Sequence, residues 1–472
     1  MMNKFRDINP QTVFLIIGLI YGVGFLLATP AFQVPDEYEH FYRALYVSEG
    51  HILPEKLGDR SGVYVPESVQ ITSEKVSDEW YTFISDRDNK SDLSPLLYLP
   101  FSSKNMVFED ISRIAVVTYS PIPYLVSAFG ISIGKLFNLS PLVLMYIGRL
   151  ANLLAWLFLT YLAIRITPVH KWVFLMLALI PMTLFEAASL SADSFLFGLS
   201  FLIIAIFFKY AFDDNKKKIG IKEIYILFIL LLLIALAKSN YFLLLFLIFL
   251  IPSEKFGGRK KMLLVTGFFF LSVAAIVGIW IILTNNLYVP IIPQVSIPGQ
   301  IAYILGDPFR FPYILINTFI NRGLSYQFLF VGNFWLDVPL PTWWLGFYLA
   351  TIIPVALLEK NKINITRNEK LVSAVTFIIN FIAACAIVYI TWNPVGQNII
   401  DGIQGRYFIP ILPLLFLLLY KIRDFGNFDK KIIDNDKKII TIIRENLNVI
   451  LISYIIIFLS ITLLIFITSY YI

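Results

Sequence analysis

Long runs of apolar residues recur along the whole chain, separated by short polar stretches. The first run, residues 12–31, carries no charged side chain. A bilayer core about 30 Å thick needs about 20 apolar residues for one helical crossing, so each such run predicts a span. This count predicts an all-α polytopic membrane protein with about eleven transmembrane helices, in a range of roughly 10–13. After the first run, the predicted spans are 141–164, 171–187, 194–212, the two halves of 222–251, 262–284, 342–358, 371–391, 407–420 and 447–469.

The run 222–251 is too long for one ordinary span, and a polar group interrupts it at Lys238-Ser239-Asn240. A break at this place turns the run into two antiparallel segments. We therefore predict a helical hairpin with Lys238 at its tip.

The polar segments between the runs predict the topology. Residues 32–118 contain more acidic than basic side chains, and lysine and arginine concentrate in cytoplasmic loops. This segment is therefore predicted to be the first extracytoplasmic loop, which makes the N-terminus cytoplasmic and the first run an uncleaved span. The stretch 36–49 has no proline or glycine and predicts a helix near the membrane surface. Within one integral membrane domain, 1–472, we further predict an interfacial or re-entrant helix at 119–137, a second extracytoplasmic segment at 285–341 and a cytoplasmic loop at 421–446.

Composition agrees with this interpretation. Hydrophobic residues make up 58% of the 472 residues and charged residues only 15%, whereas a soluble domain has about 25% charged residues. The net charge of +6 is spread over loops, which indicates membrane orientation rather than nucleic-acid binding. One cysteine excludes an internal disulfide framework, and three histidines make a histidine-built metal site improbable.

The first candidate site residues follow directly after the first run, in Pro35-Asp36-Glu37. Group transfer to a hydroxyl needs a carboxylate to accept the proton, and low-dielectric surroundings raise a carboxyl pKa toward a useful range. Asp36 and Glu37 are therefore our catalytic candidates. A structural interpretation stays equally open, because proline followed by two acids suits the first turn of a helix. His40 shares their helical face and is predicted to be a hydrogen-bonding neighbour that contacts substrate.

The predicted topology places two cations on the same membrane face as Asp36 and Glu37. Lys238 interrupts an apolar run, and Arg406 begins another in Gly405-Arg406-Tyr407-Phe408. A phosphate leaving group needs such cations, and arginine offers a two-pronged contact. Snorkelling of Lys238 and interfacial anchoring of Arg406 are the competing interpretations.

Further predicted substrate-binding residues share that face. Ionisable side chains at membrane depth cost about 2.5–3.5 kcal/mol on insertion scales, so they are rare there. Asp193 has a competing role as a helix cap, and Asp337, close to several tryptophans, lies where an interfacial aromatic belt is the alternative. The set is completed by Arg149, Asp401 and Tyr407.

These residues together resemble the GT-C superfamily of polytopic glycosyltransferases, in which an acidic residue of the first external loop is catalytic or binds the acceptor. More closely, the chain is similar to a bacterial membrane family catalogued as domain of unknown function 2142. The stretches that carry this second resemblance are Pro35-Asp36-Glu37 with His40, Ser191-Ala192-Asp193-Ser194, Leu336-Asp337 with Pro339, and Gln404-Gly405-Arg406-Tyr407-Phe408-Ile409-Pro410.

The GT-C resemblance implies a sugar donor linked to a polyprenyl phosphate and a cell-envelope glycan or lipid-linked acceptor, at the outer face of a bacterial cell membrane. It implies Asp36 or Glu37 as base. Some branches of the superfamily need a divalent metal, for which the sequence shows no identifiable ligand set. Two alternatives stay open: a transporter or flippase of a lipid-linked saccharide, and a non-catalytic partner in polysaccharide assembly.

Overall fold

The computed structural model describes residues 8–85, 92–102, 104–113, 115–290, 292–331, 340–359, 363–420 and 446–471. Helices dominate this part of the chain. The elements, in chain order, are α1 (Pro10–Ala28), α2 (Glu37–Ser48), β1 (Glu55–Leu57), β2 (Arg60–Pro66), α3 (Glu67–Ser85), α4 (Ser94–Leu97), β3 (Met106–Asp110), α5 (Leu125–Leu136), α6 (Pro141–Ile166), α7 (Lys171–Ala178), α8 (Pro181–Ala187), α9 (Ala192–Phe212), α10 (Ile221–Ala237), α11 (Arg259–Thr284), α12 (Ile297–Leu305), α13 (Arg310–Val331), α14 (Thr342–Leu358), α15 (Arg367–Trp392), α16 (Leu412–Phe416) and α17 (Leu447–Tyr471).

Six helices in the described ranges are long and apolar enough to cross a membrane: α1, α6, α9, α11, α15 and α17. Shorter apolar helices cover Ile122–Leu136, Ser239–Leu250, Trp343–Leu358 and Gly405–Leu419. The sequence-based prediction of a multi-helix membrane protein is therefore confirmed. The predicted span 171–187 consists of two short helices, α7 and α8, because Pro181 lacks an N–H group and disfavours helical backbone in the residue before it.

The predicted hairpin has its break at Lys238. Helix α10 ends at Ala237, Lys238 is extended, and the returning segment Ser239–Leu250 is a 3-10 helix that packs against α10. Its buried side chains include Tyr241, Leu244, Leu247 and Leu250, which are spaced three residues apart and therefore lie on one face of a 3-10 helix.

Helix α1 packs closely on α6 through two glycines spaced four residues apart. An added Cβ on Gly18 would meet Leu157 at 2.9 Å, and one on Gly22 would meet Leu153 at 2.6 Å. Small residues at this spacing let helix backbones approach in a membrane. The contact fixes the end of α1, from which the candidate site begins.

The segment 32–118 contains a small antiparallel sheet that the all-α prediction did not include. Its strand order is β1-β2-β3, with Val63 opposite Glu109 and Val65 opposite Val107. Val63 and Val65 are buried in a second core with Phe41 of α2. The strands have only three to seven residues, too few to give a clear alternating pattern. The predicted helix at 36–49 is confirmed as α2.

The other long polar segment, 285–341, holds helices α12 and α13. Asp337 lies outside the described residues, as does nearly all of the predicted loop 421–446.

Candidate functional site

Asp36 stands at the N-terminus of α2 with a left-handed backbone, φ 58°. Its side chain is half-buried and makes no capping hydrogen bond. Within the described ranges, no hydrogen bond or ion pair engages its carboxylate, and the positive charge of Arg406 acts on it. Asp36 is therefore available to a ligand.

Glu37, the next residue, is fully engaged. Its Oε1 accepts from Nε of Arg149 at 2.8 Å and from the backbone N–H of Leu190 at 3.1 Å, and its Oε2 accepts from Nη2 of Arg149 at 2.5 Å. Both side chains are completely buried. We call this pair the Glu37–Arg149 clamp.

The clamp joins three segments that surround the site. Arg149 also donates to the carbonyls of Leu26, Thr29 and Pro30 at the end of α1, so all five of its N–H groups are used. Leu190 lies three residues before Asp193 in the chain. The clamp thus fixes the end of α1, the start of α2 and the approach to α9 relative to one another.

A second group of charges connects α8, α9, the hairpin tip and the chain before α16. Nζ of Lys238 contacts Oδ1 of Asp193 at 2.8 Å, and Nε of Arg406 lies 3.6 Å from Oδ2 of the same carboxylate. Nη1 of Arg406 donates to Oε1 of Glu186. We call Glu186, Asp193, Lys238 and Arg406 the charged network.

Asp193 does not cap α9. Ser191 occupies the N-cap position, and its Oγ accepts from the backbone N–H of Asp193 at 3.2 Å. The Asp193 carboxylate is consequently free to face Lys238 and Arg406.

Tyr407 lines the same place. Nζ of Lys238 lies 4.7 Å from the centre of its ring, and the guanidinium carbon of Arg406 lies 5.9 Å from it. Its backbone carbonyl accepts from the Tyr241 hydroxyl at 2.5 Å. This bond ties the hairpin to the 3-10 helix Gly405–Ile411, on which Arg406 sits.

His40 lies on α2 four residues after Asp36 and is subject to the charges of the network. Its Nδ1 lies 2.8 Å from the Tyr124 hydroxyl, and its ring is within electrostatic range of Asp193, Arg406 and Lys238. Burial lowers the pKa of His40 to about 3, so it is neutral at physiological pH. Burial also raises the pKa of Asp36, while the positive charge of Arg406 opposes that rise.

Among the predicted residues, the structure thus brings Asp36, His40, Asp193, Lys238, Arg406 and Tyr407 together. Glu37 and Arg149 lie beside them as the clamp. Asp401 lies elsewhere: its Oδ2 accepts from Gln397 at 2.6 Å, and its Oδ1 is 3.7 Å from Arg322 in a half-exposed pair.

Two acids of this region were not predicted to be site residues. The pairing of Glu186 with Arg406 depends on tertiary contacts that no spacing reveals. Glu39 is buried one turn after Asp36; its spacing of three residues places it on the same side of α2, but its burial depends on packing that the sequence of this helix does not show.

Within the described residues, no group of three or more His, Cys, Asp or Glu side chains is arranged to hold a metal ion. The carboxylates of the network are instead neutralised by Lys238 and Arg406. The arrangement of these described residues does not fit a metal centre.

One family model, described as a predicted membrane protein (DUF2142), matches residues 19–415. No curated protein and no solved structure matches the chain. The match confirms the second resemblance stated from the sequence.

Proposed function

The chain belongs to the DUF2142 family of predicted membrane proteins, and from this premise we propose that it is a glycosyltransferase of the GT-C type. It moves a sugar from a polyprenyl-phosphate-linked donor to a cell-envelope glycan or lipid-linked acceptor. The proposal includes about eleven spans in a bacterial cell membrane, a cytoplasmic N-terminus and an extracytoplasmic site.

The observation that carries the proposal is the position of Asp36. This half-buried carboxylate has no hydrogen-bonding partner in the described ranges and is subject to the positive charge of Arg406. Arg406 and Lys238 in turn meet at Asp193. A base and two cations within one site are the groups that transfer from a phosphate-linked donor requires.

In the proposed reaction, the acceptor hydroxyl oxygen forms a bond to the anomeric carbon of the donor sugar. The bond between that carbon and the phosphate oxygen breaks, and polyprenyl phosphate leaves with the bonding electrons. Asp36 takes the proton of the hydroxyl. Arg406 and Lys238 stabilise the charge that grows on the phosphate.

Glu37 is proposed here as a positioning residue rather than as the base. Its two oxygens already accept three hydrogen bonds, and the side chain has no exposed surface. It holds Asp36 and the chain before Asp193 in place.

The test is transfer in liposomes that contain purified protein, a polyprenyl-phosphate sugar and an acceptor lipid. Asp36→Asn should reduce turnover by about 100-fold or more, because general-base catalysis contributes about 10²–10⁴-fold. Asp59→Asn, which changes an exposed aspartate between β1 and β2, is the matched control and should behave as wild type. Equal transfer by Asp36→Asn and wild type would remove the base assignment.

One observation favours a transporter or flippase as the second candidate. The charged network lies at the break between α10 and a 3-10 helix, and transporters bind substrates at discontinuous helices. Movement of a labelled lipid-linked sugar across the liposome bilayer without any transfer would favour this alternative. If the protein shows neither transfer nor transport, the result would favour a non-catalytic partner in polysaccharide assembly.

A further inference from the structure

Glu39 is a buried carboxyl that the reaction above does not use. It lies on α2 one turn after Asp36, and only 3% of its surface is exposed. Its Oε2 has no hydrogen-bonding partner among the described residues. A buried carboxylate without a compensating cation is costly, whereas the protonated acid is not.

The cation that could neutralise Glu39 is not paired with it, although its Nε and Nη1 have no hydrogen-bonding partner in the described ranges. Arg43 follows four residues later, which is the favoured spacing for a helical ion pair. Yet its Nη2 donates to the carbonyls of Ile52 at 2.5 Å and Tyr119 at 3.3 Å. In the described ranges no ion pair joins the two side chains, although both are buried.

Further acids lie in the same region as Glu39. Asp36 acts on it from its own helix. Glu74 of α3 and Glu109 of β3, like Glu39, act on the neighbouring Tyr42. Burial raises the pKa of Glu39 to about 8, and the charge of Asp36 adds to the rise, against an opposing interaction with the Tyr38 hydroxyl.

We propose that Glu39 is a positioning residue that stays protonated beside Asp36, so that the site presents one carboxylate rather than two to an anionic donor. This role rests on the proposed function. When Glu39 ionises, a second negative charge lies next to Asp36, and a phosphate-linked donor binds less tightly because the charges have the same sign.

The first experiment measures the protonation state of Glu39 and does not depend on catalysis. Infrared spectra of the protein in liposomes are recorded from about pH 5 to about pH 10, and the carbonyl stretch of protonated carboxyl groups is followed. Wild type should lose one such band near pH 8, the pKa of Glu39. Glu39→Gln should lack the band, and in Asp36→Asn the band should disappear at lower pH, because the charge that raises the pKa is gone.

Glu49→Gln is the control for this experiment. Glu49 follows the end of α2 and pairs with Lys135, with both side chains partly exposed, so its removal should leave the band unchanged. A band near pH 8 that persists in Glu39→Gln, or a wild-type protein without such a band, would overturn the proposal.

The second experiment measures the donor KM in the transfer assay as a function of pH. In wild type the donor KM should rise as the pH passes through about 8, because the ionised form binds the anionic donor less tightly. Glu39→Gln imitates the protonated acid, so its donor KM should stay level over the same pH range. The same rise in Glu39→Gln would contradict the role.

The two proposals fail separately. If wild type transfers no sugar but the infrared band behaves as expected, the proposed function fails and the protonated state of Glu39 stands. If transfer occurs and depends on Asp36 but the band is absent, the function stands and the role of Glu39 falls.

Discussion

The protein contains two buried groups of charges side by side, and they differ in completeness. In the Glu37–Arg149 clamp every donor of the arginine and both oxygens of the carboxylate are used, and neither side chain is exposed. In the charged network, Lys238 is 21% and Arg406 10% exposed, and Oε2 of Glu186 and Nε of Arg406 lack a hydrogen-bonding partner in the described ranges.

This difference separates structural from functional charge. A satisfied buried pair holds segments together and has no capacity left for a ligand. A network with unsatisfied polar atoms and partial exposure can exchange a partner for a substrate group at low cost. Both groups read alike in the sequence, as isolated ionisable residues at the ends of apolar runs.

The largest effect is expected from breaking the clamp. Glu37→Gln leaves the Arg149 charge buried without a carboxylate, which costs about 3–5 kcal/mol in the free energy of unfolding. Denaturant or thermal unfolding in detergent measures the loss. Glu49→Gln removes one partner of a part-exposed pair and should cost less than about 1 kcal/mol. Equal small losses for both variants would mean that the clamp does not have its structural role.

The next effect is expected in the network, on activity rather than on folding. Arg406→Lys keeps the charge but loses the two-pronged contact, so transfer efficiency should fall about 10–100-fold. The unfolding free energy should change less than in Glu37→Gln, because Asp193 keeps Lys238 as partner. If Arg406→Lys transfers sugar normally but has a much lower free energy of unfolding, Arg406 has a structural role like that of the Glu37–Arg149 clamp.

A third effect concerns pH and the buried side chain of His40. His40 is neutral in the folded protein, with a pKa of about 3, whereas in the unfolded chain its pKa is about 6.5. As pH falls below about 6.5, the unfolded state binds a proton that the folded state does not, so stability decreases toward pH 3. The unfolding midpoint of wild type should decrease as the pH falls, and that of His40→Gln should decrease less. Identical dependence of the midpoint on pH in both proteins would contradict the neutral state of His40 in the folded protein.

The smallest effect is expected outside both groups. Asp401 sits in a half-exposed pair with Arg322, so Asp401→Asn should change the unfolding free energy by about 0.5 kcal/mol or less. Transfer should stay within about twofold of wild type. A tenfold loss of transfer would extend the network to Asp401.

The sequence predicts where the helices and the isolated charged residues lie better than it predicts which charged residues contact one another. The interrupted apolar run located Lys238 at a hairpin tip, and the absence of proline and glycine after Asp36 located α2. The partner of each charge depends on how distant helices pack: Glu37 and Arg149 are 112 positions apart, and Arg406 and Glu186 are 220 apart. No local pattern specifies which acid meets which base across such distances.

Two further features escaped prediction for physical reasons. The strands of the sheet are too short to show a period of two, and their burial comes from packing on α2. Glu39 escaped because α2 is covered both by that sheet segment and by membrane helices. A helix buried on several sides does not reveal from its own pattern which polar residue is covered.

The Glu37–Arg149 clamp can form only after both of its residues have been synthesised. Glu37 leaves the ribosome 112 residues before its partner Arg149, which at about 5–20 residues per second corresponds to roughly 6–22 s. During that interval the newly inserted α1 is followed by an acid whose counter-ion does not yet exist. The nascent start of α2 must therefore remain in water until α6 arrives, and the region around Asp36 acquires its final shape only after insertion of the later helices.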